Sequence, residues 1–202
     1  MTLDPRWTTP PVLEGAYVRL EPLSPAHADG LRAATEDGRL WELWFTSVPA
    51  PEEVDGWIAM ALAMQAAGDA LAFAVLDAGG RVVGSTRYYD LSPATPRVQV
   101  GHTWYARSVQ RTGLNGDAKL LLLGYAFEVL GCVSVGFQTS TANLASRAAI
   151  ARLGASLEGI TRHHQRHRDG SLRDTANYSI IASEWSTVKA ALQRDLADRR
   201  HD

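Results

Sequence analysis

The sequence predicts a mixed α+β fold in which one twisted sheet of about seven strands, antiparallel in its first half, is flanked by helices. Two observations carry this prediction. Segments of alternating apolar and polar residues are interspersed with segments of helical spacing, in the order strand, helix, helix, three strands, helix, strand, helix, two strands. The three consecutive strands lie close together in the sequence, which favours an antiparallel arrangement over a doubly wound parallel sheet.

The early helices are marked by their first residues. A short strand over Tyr17–Leu23 is followed by Ser24 as N-cap and Pro25 in the first turn of a helix that runs to about Thr35. Pro51 opens a second helix, whose first turn contains two glutamates that favour the helix dipole. An aromatic cluster lies between the two helices, and it is either a core or lid patch or the wall of a substrate pocket: Trp41, Trp44 and Phe45.

The middle strands follow. Asp77–Gly80 predicts the connection of a hairpin between Leu71–Leu76 and Arg81–Tyr89. The next strand, Val98–Tyr105, alternates in its apolar residues. This alternation places His102 on the same side as Val98, Val100 and Trp104.

A turn and a long helix come after this strand. Apolar residues at spacings of three and four over Leu114–Val129 predict an amphipathic helix. The turn before it, Arg107–Gly116, is basic and contains glycine. Unpaired amides and the positive end of the dipole at a helix N-terminus attract anions, so we expect this turn to hold a phosphate-bearing cofactor.

The last third of the chain adds three strands and two helices. They are predicted at these positions: a strand at Val133–Gln138, a helix at Asn143–Leu153, a hairpin of strands at Leu157–Arg168 and Arg173–Ala182, and a helix at Trp185–Leu196.

Length and composition predict one domain over residues 1–202, with 1–12 an extended leader and 199–202 a frayed tail. The formal net charge of −2 argues against nucleic acid as a partner. No apolar stretch approaches the ~20 residues that span a bilayer, so we expect no membrane partner and a cytoplasmic protein. The single cysteine, Cys132, fits a reducing compartment and is expected to be buried and inert. The oligomeric state stays open, a homodimer included.

Three stretches point to a family. Gln110–Asn115 is similar to a pyrophosphate loop written Q/R-x-x-G-x-G/A, Thr141–Gly154 to a segment N-x-x-S…L-G, and Leu13–Leu23 to a first strand. In this order, together with Val100–Tyr105, they resemble the GNAT superfamily of acetyl-CoA-dependent N-acyltransferases, and within it the RimJ/RimL-like branch that acetylates ribosomal-protein N-termini. The resemblance spans most of the chain.

The resemblance implies acetyl-CoA as the cofactor and a sheet that splays between its fourth and fifth strands. Pantetheine would pair with the exposed edge Trp104–Arg107, where Trp104 and Tyr105 lie, and the amides of this edge would polarise the thioester carbonyl. Asn143 would touch the cofactor, although it could equally cap its helix. The implied pyrophosphate residues are Gln110, Arg111, Thr112, Gly113, Leu114, Asn115 and Gly116.

Two positions depart from the family pattern. Asn115 stands where a second Gly or Ala is expected, with Gly116 one residue later, so the turn would rely on the tolerance of Asn for left-handed backbone. Gln99 stands where many relatives carry a glutamate base, and it cannot titrate.

The catalytic candidates follow from the chemistry that amide transfer from a thioester needs. His102 titrates near neutrality and is the candidate base, with Glu42, Asp90 or no dedicated base as alternatives. Ser146 is implied as the proton donor to the leaving thiolate, and Tyr178 is a rival acid or a core aromatic.

A histidine- and arginine-rich segment near the C-terminus raises the question of a metal. Adjacent His163 and His164 point to opposite faces of a strand, and no carboxylate or cysteine joins them at a metal-like spacing. We therefore expect no metal, and a solvated hairpin or a basic rim instead.

The sequence therefore predicts an N-acetyltransferase that moves an acetyl group from acetyl-CoA to a primary amine, by direct attack in a ternary complex. The amine would belong to a protein N-terminus or to a small molecule. The alternatives are a CoA-binding module without activity and an acyltransferase with another acyl-CoA donor. A nucleotide-phosphate enzyme is disfavoured, because the loop lacks the Gly-Lys-Ser/Thr ending of a P-loop.

Overall fold

The computed structural model of the chain describes residues 4–199. Most of the predicted frayed tail and the first three residues of the leader lie outside the described residues. Within residues 4–199 there are eight strands, β1 Leu13–Glu14, β2 Val18–Pro22, β3 Ala70–Asp77, β4 Val82–Ser92, β5 Arg97–Tyr105, β6 Ser134–Ser140, β7 Ser156–Arg166 and β8 Leu172–Ile181. The α-helices of the same range are α1 Ala28–Glu36, α2 Val54–Ala66, α3 Leu114–Gly124, α4 Leu144–Arg152 and α5 Trp185–Asp198.

The strands form one sheet in the order β1-β2-β3-β4-β5-β6-β8-β7. Every neighbouring pair is antiparallel except β5 and β6, which run parallel. The mixed fold with an antiparallel first half is confirmed. The strand count exceeds the predicted seven by the two-residue β1, which is too short to leave an alternation pattern in the sequence.

The sheet splays open between β5 and β6. These two strands pair only where Arg97–Gln99 faces Ser134–Gly136. Both strands continue beyond that point, β5 to Tyr105 along β4 and β6 to Ser140 along β8. One edge of β5 from Val100 onward is therefore free of strand pairing, as the resemblance implied for the fourth predicted strand.

Helices cover both faces of the sheet. The hydroxyl of Tyr88 on β4 donates to the carbonyl of Leu122, so α3 packs on the face of Tyr88. The guanidinium of Arg87, the preceding residue, stacks over the ring of Trp57 on α2, so α2 covers the opposite face. The leader is not extended throughout, because Pro5–Trp7 form a 3-10 turn and Trp7 is buried in the core.

The lone cysteine lies between α3 and β6. Cys132 is 2% exposed, and burial raises the pKa of its thiol to about 12. Such a thiol carries almost no thiolate at neutral pH, as expected from its apolar neighbours. Across residues 4–199, no helix has both the length and the apolar character that crossing a membrane would need.

Candidate active site

The turn predicted to bind an anion leads into the first turn of α3. The helix begins at Leu114, and its first backbone bond runs from the amide of Asp117 to the carbonyl of Gly113. In the described part of the chain, the amides of Gly113, Asn115 and Gly116 donate to no protein acceptor. These donors lie at the positive end of the helix dipole, so the turn fits a pyrophosphate.

Side chains of the turn hold its own backbone in place. Thr112 Oγ1 donates to the carbonyl of Val109 at 2.7 Å and accepts from the amide of Leu114 at 3.2 Å, so Thr112 holds the turn against the first residue of α3. Gln110 Nε2 donates to the carbonyl of Tyr105 at 2.9 Å and ties the turn to the end of β5. Both side chains therefore shape the predicted cofactor site from within.

The left-handed residue of this turn is not the one expected. Asn115 lies inside α3, whereas Arg111 has a φ of +62°. The prediction that Asn115 supplies a left-handed conformation is wrong, because the helix already begins at Leu114. The register of the turn is thereby fixed, with Arg111 at the strained position.

The open edge of β5 ends sooner than predicted. The amide of Ala106 donates to the carbonyl of Val83 on the β4 side, and the amide of Arg107 donates to the carbonyl of Asp37 at 3.0 Å. The prediction of free amides throughout Trp104–Arg107 is therefore wrong. Amides alternate in direction along a strand, so Tyr105 is the residue of this stretch whose amide faces the open side.

A β-bulge changes the face on which His102 lies. The register between β4 and β5 shifts between Ser85 and Arg87, opposite His102, whose φ is +49°. The ring of His102 meets the ring of Tyr89 edge-on, with centroids 5.3 Å apart. Tyr89 lies on the α2 face, so the predicted grouping of His102 with Val98 and Val100 is wrong.

His102 does share a face of β5 with Trp104, which was the other part of that prediction. The rings of Trp104 and Trp57 are 6.1 Å apart, which places Trp104 on the α2 face as well. Thr103 points the other way, because its hydroxyl accepts a bond from Lys119 on α3. One extra residue in β5 therefore turns His102 towards the face of Arg87 and Trp57.

The surroundings of His102 keep its ring neutral. Burial, together with the nearby guanidinium groups of Arg87 and Arg173, lowers its pKa to about 4. The imidazole is thus unprotonated at pH 7 but is a weak acceptor for the proton of an ammonium group. The alternative Glu42 is held in an ion pair by Arg39, and Asp90 is exposed on β4.

The acid candidates follow β6, on the other side of the splay. Asn143 Oδ1 accepts the amide of Ser146 at 3.0 Å, so Asn143 caps α4 and keeps its Nδ2 for another acceptor. Tyr178 on β8 is 6% exposed, and its hydroxyl accepts from Arg147 Nε at 3.2 Å. The turns after β5 and β6 both follow the carboxyl ends of adjacent parallel strands, a common position for ligands.

A cleft that the sequence did not predict opens on the α2 face. Its volume is about 640 Å³, and it is walled by Phe45 and the loop to Pro49, by α2 around Trp57, and by the β7–β8 hairpin around Gln165 and Arg173. The contact between Trp57 and Trp104 joins the cleft to β5. Of the predicted aromatic cluster, Phe45 lines this cleft, whereas Trp41 and Trp44 are not among its lining residues.

An ion pair closes one end of this cleft. The guanidinium of Arg168 at the hairpin tip pairs with Glu53 and donates to the carbonyl of Val48 at 3.3 Å. Arg168 and the amide of Ala50 hold the pKa of Glu53 below its usual value. Residues more than one hundred positions apart build this wall, so local sequence patterns carried no signal for it.

The histidines of the hairpin have partners of their own. His164 Nδ1 lies 3.1 Å from Thr175 Oγ1, and the ring of His167 packs edge-on against Trp44 at 4.7 Å. In the part of the chain that the structure describes, no group of three His, Cys, Asp or Glu side chains could hold a metal ion.

Comparison with known proteins now identifies the fold. A family model described as an acetyltransferase (GNAT) domain matches residues 18–156. A GCN5-related N-acetyltransferase from Brucella melitensis is 34% identical, with a TM-score of 0.81 over 92% of this chain and 85% of that one. An acetyltransferase from T. thermophilus is 32% identical, with a TM-score of 0.80 over 93% and 97% of the two chains.

RimJ from Mycobacterium smegmatis, in complex with a CoA disulfide, is 20% identical and shares the fold, with a TM-score of 0.78 over 92% and 95% of the two chains. No curated protein matches the chain significantly. The family match covers more than half of the chain, and it agrees with the splayed β5–β6 pair and with the free amides at the start of α3. The chain belongs to the GNAT family of acetyltransferases, enzymes that take their acyl group from acetyl-CoA.

Proposed function

We propose that the protein acetylates a primary amine, at a protein N-terminus or on a small molecule, by direct attack of the amine within a ternary complex. The observation that carries this proposal is the position of the open edge of β5. One end of the edge meets the anion-binding turn at Gln110, and its α2 face meets the cleft at Trp104. A thioester on this edge would lie between its phosphate anchor and an acceptor in the cleft.

Backbone amides would polarise the thioester and hold the cofactor. The amide of Tyr105 would donate to the thioester carbonyl oxygen and stabilise the negative charge that develops there during attack. The amides of Gly113, Asn115 and Gly116, with the side chain of Arg111, would hold the pyrophosphate. When bound, acetyl-CoA supplies an activated acyl group, and the protein supplies its position.

The predicted role of His102 as the base that takes the proton of the amine does not fit its surroundings. An imidazole with a pKa of about 4 cannot hold an ammonium proton well at pH 7. We propose that the amine reaches the cleft neutral and that His102 accepts a hydrogen bond from it rather than its proton. Ser146 or Tyr178 would then give a proton to the leaving thiolate, and the proton that the attacking nitrogen loses would return to that oxygen through solvent in the open cleft.

The acceptor would be of the kind used by the RimJ/RimL-like branch. Asn143, Ser146 and Gly154 repeat that branch's segment, and Leu13–Leu23 its first strand. An acceptor at a ribosomal-protein N-terminus would be met in the cytoplasm. Small-molecule amines are also proposed as acceptors, because the cleft is open to solvent and they could enter it.

The test is release of the CoA thiol from acetyl-CoA over a panel of peptides and small amines, with longer acyl-CoA donors as a second arm. We expect turnover on at least one amine and a preference for the acetyl donor. Binding of CoA in a calorimeter without turnover on any amine would leave only a CoA-binding module. A preference for a longer donor would replace the acetyl assignment.

A pair of variants tests the Tyr105 amide. Tyr105→Pro removes the amide, whereas Tyr105→Ala removes the same ring and keeps it. Loss of one oxyanion donor costs about 10²–10³ in kcat, so we expect the proline variant to be slower than the alanine variant by about that factor. Equal rates in the two variants would show that the amide does not act on the carbonyl.

A further inference from the structure

Arg87 is a buried cation without an anionic partner. Its side chain on β4 is 0% exposed, and its contacts are the ring face of Trp57 at 4.6 Å and Met64 Sδ at 3.6 Å. Its Nε and Nη2 have no hydrogen-bond partner among residues 4–199. An unpaired buried guanidinium costs stability, so its position against Trp57, a residue that lines the cleft, needs a functional reason.

Arg173 is a second arginine with a buried donor that no described residue uses. It lines the cleft next to Gln165, its cross-strand partner, and is half-buried on β8. Its buried Nε also has no hydrogen-bond partner in the described part of the chain. Burial and the charges of Arg87 and Arg173 together lower the pKa of His102, so both guanidinium groups lie near its ring.

The acidic groups of the cleft do not neutralise this pair. Glu53 is taken by Arg168 and by the amide of Ala50. Glu52 also lines the cleft, but it is exposed on the first turn before α2. Among the described residues, no Asp or Glu forms an ion pair with either Arg87 or Arg173.

Two titratable neighbours of these arginines, His102 and Tyr89, are neutral at pH 7. His102 is unprotonated at pH 7, and burial raises the pKa of Tyr89, which lies beside it. Gln99, on the same face of β5, carries no charge and has a buried Oε1 without a donor. The groups beside His102 thus leave two guanidinium charges without an ion-pair partner, with buried donors that no described residue uses.

We propose that the acceptor amine carries a carboxylate close to the amine, and that Arg173 binds this carboxylate in a field that Arg87 makes more positive. A planar guanidinium matches a carboxylate in two parallel hydrogen bonds, and such pairs are stronger where water is excluded. The chemistry is that of an amino acid or of a peptide with an acidic residue at its start. This inference rests on the proposed amine acetylation and names its substrate class.

The experiment uses the full chain, acetyl-CoA and matched pairs of acceptors that differ in the carboxylate. Glycine against glycinamide is the small-molecule pair, and peptides beginning with Asp or with Asn are the second pair. For Arg173→Gln we expect kcat/KM on the carboxylate acceptors to fall about 10- to 100-fold through KM, and on the uncharged acceptors to stay within about threefold. Arg173→Lys should restore part of the loss, because it restores the charge but not the paired donors.

The control variant removes the charge of an arginine that lies outside the cleft. Arg152→Gln alters an exposed residue at the end of α4 and should leave both acceptor pairs unchanged. CoA affinity, measured by calorimetry, should be the same in every variant, which separates substrate binding from a loss of fold. The pair of acceptors that responds to Arg173→Gln tells the two sources of the carboxylate apart.

Two negative results have different meanings. If carboxylate and uncharged acceptors lose activity equally in Arg173→Gln, the inference is wrong and amine acetylation stands. If the wild-type protein turns over no amine while binding CoA, the proposed function fails and this inference fails with it.

Discussion

Tyr17 donates its backbone amide to Oδ2 of Asp117 over 2.6 Å, between residues one hundred positions apart. The bond joins the start of β2 to the first turn of α3. Gly15 lies against the same carboxylate, where a Cβ would come within 2.3 Å of its oxygen. The helix that offers its amides to a pyrophosphate is therefore anchored to the sheet by a buried side chain of its own.

Loss of that anchor should destabilise the fold. Asp117→Ala leaves the partly buried amide of Tyr17 without an acceptor, which costs about 1–3 kcal/mol in the free energy of unfolding. Asp117→Asn keeps an oxygen there and should lose less. Urea unfolding measures both, and Asp55→Ala, which breaks only a surface ion pair with Arg32, is the control. Equal stability of Asp117→Ala and the wild type would remove this anchor from the account.

The pyrophosphate assignment depends on backbone amides rather than on charge. Gly113 has a φ of −67°, which proline also adopts, so Gly113→Pro removes one amide without forcing that angle. We expect CoA affinity in calorimetry to fall at least tenfold. Gly113→Ala is the matched control, because it places a Cβ at the same 3.1 Å from the Tyr17 ring and keeps the amide. If both variants bind CoA as the wild type does, the turn does not hold the pyrophosphate.

The buried positive charge of Lys119 on α3 should lower the free energy of unfolding. It is 6% exposed, its one hydrogen-bond acceptor among residues 4–199 is Thr103 Oγ1 at 3.3 Å, and burial lowers its pKa from 10.5 to about 8. The folded state thus holds this proton more weakly than the unfolded chain does. The cost is about 3 kcal/mol below pH 8 and disappears as the pH rises towards 10.5, where the unfolded chain also loses the proton.

Lys119→Met should therefore raise the free energy of unfolding at pH 7 by up to about 3 kcal/mol. The gain should shrink at pH 10, because the wild-type lysine is then neutral in the folded state. Chemical unfolding at the two pH values gives the comparison. A variant that is less stable than the wild type at both would mean that the ammonium is stabilised by its contacts.

The pH profile of the reaction should not contain His102. With its pKa at about 4, the ring is neutral across the range of an ordinary assay. We expect kcat/KM to rise with pH up to the pKa of the acceptor amine, and His102→Gln to keep the shape of that curve. An inflection between pH 6 and 7 that disappears in the variant would restore His102 as the general base.

Local patterns in the sequence were enough for most of the fold. Caps and prolines placed the starts of the first helices, and Asp77–Gly80 placed the hairpin of β3 and β4. The turn before α3 could be recognised because a glycine, basic residues and an amphipathic helix follow one another in the chain. Each of these features depends on residues that are close in sequence.

The structural features that the sequence did not predict depend on one extra residue in a strand or on contacts between residues far apart in the chain. Alternation cannot show a bulge, so it predicts the wrong face for His102, and the pairing of β4 with β5 corrects it. The amide of Arg107 donates to the carbonyl of Asp37, and the ion pair between Arg168 and Glu53 closes one end of the cleft. No short stretch of sequence contains both members of either pair.

The buried thiol of Cys132 has a practical consequence. The chain contains one cysteine, and its protonated, enclosed sulfur will not react with thiol reagents in the native state. Colorimetric detection of released CoA therefore needs no blocking of the protein. A cysteine introduced at Leu172, which is 49% exposed where the hairpin returns along β8, would be the single labelling site for a fluorophore that reports whether the hairpin moves when an acceptor binds.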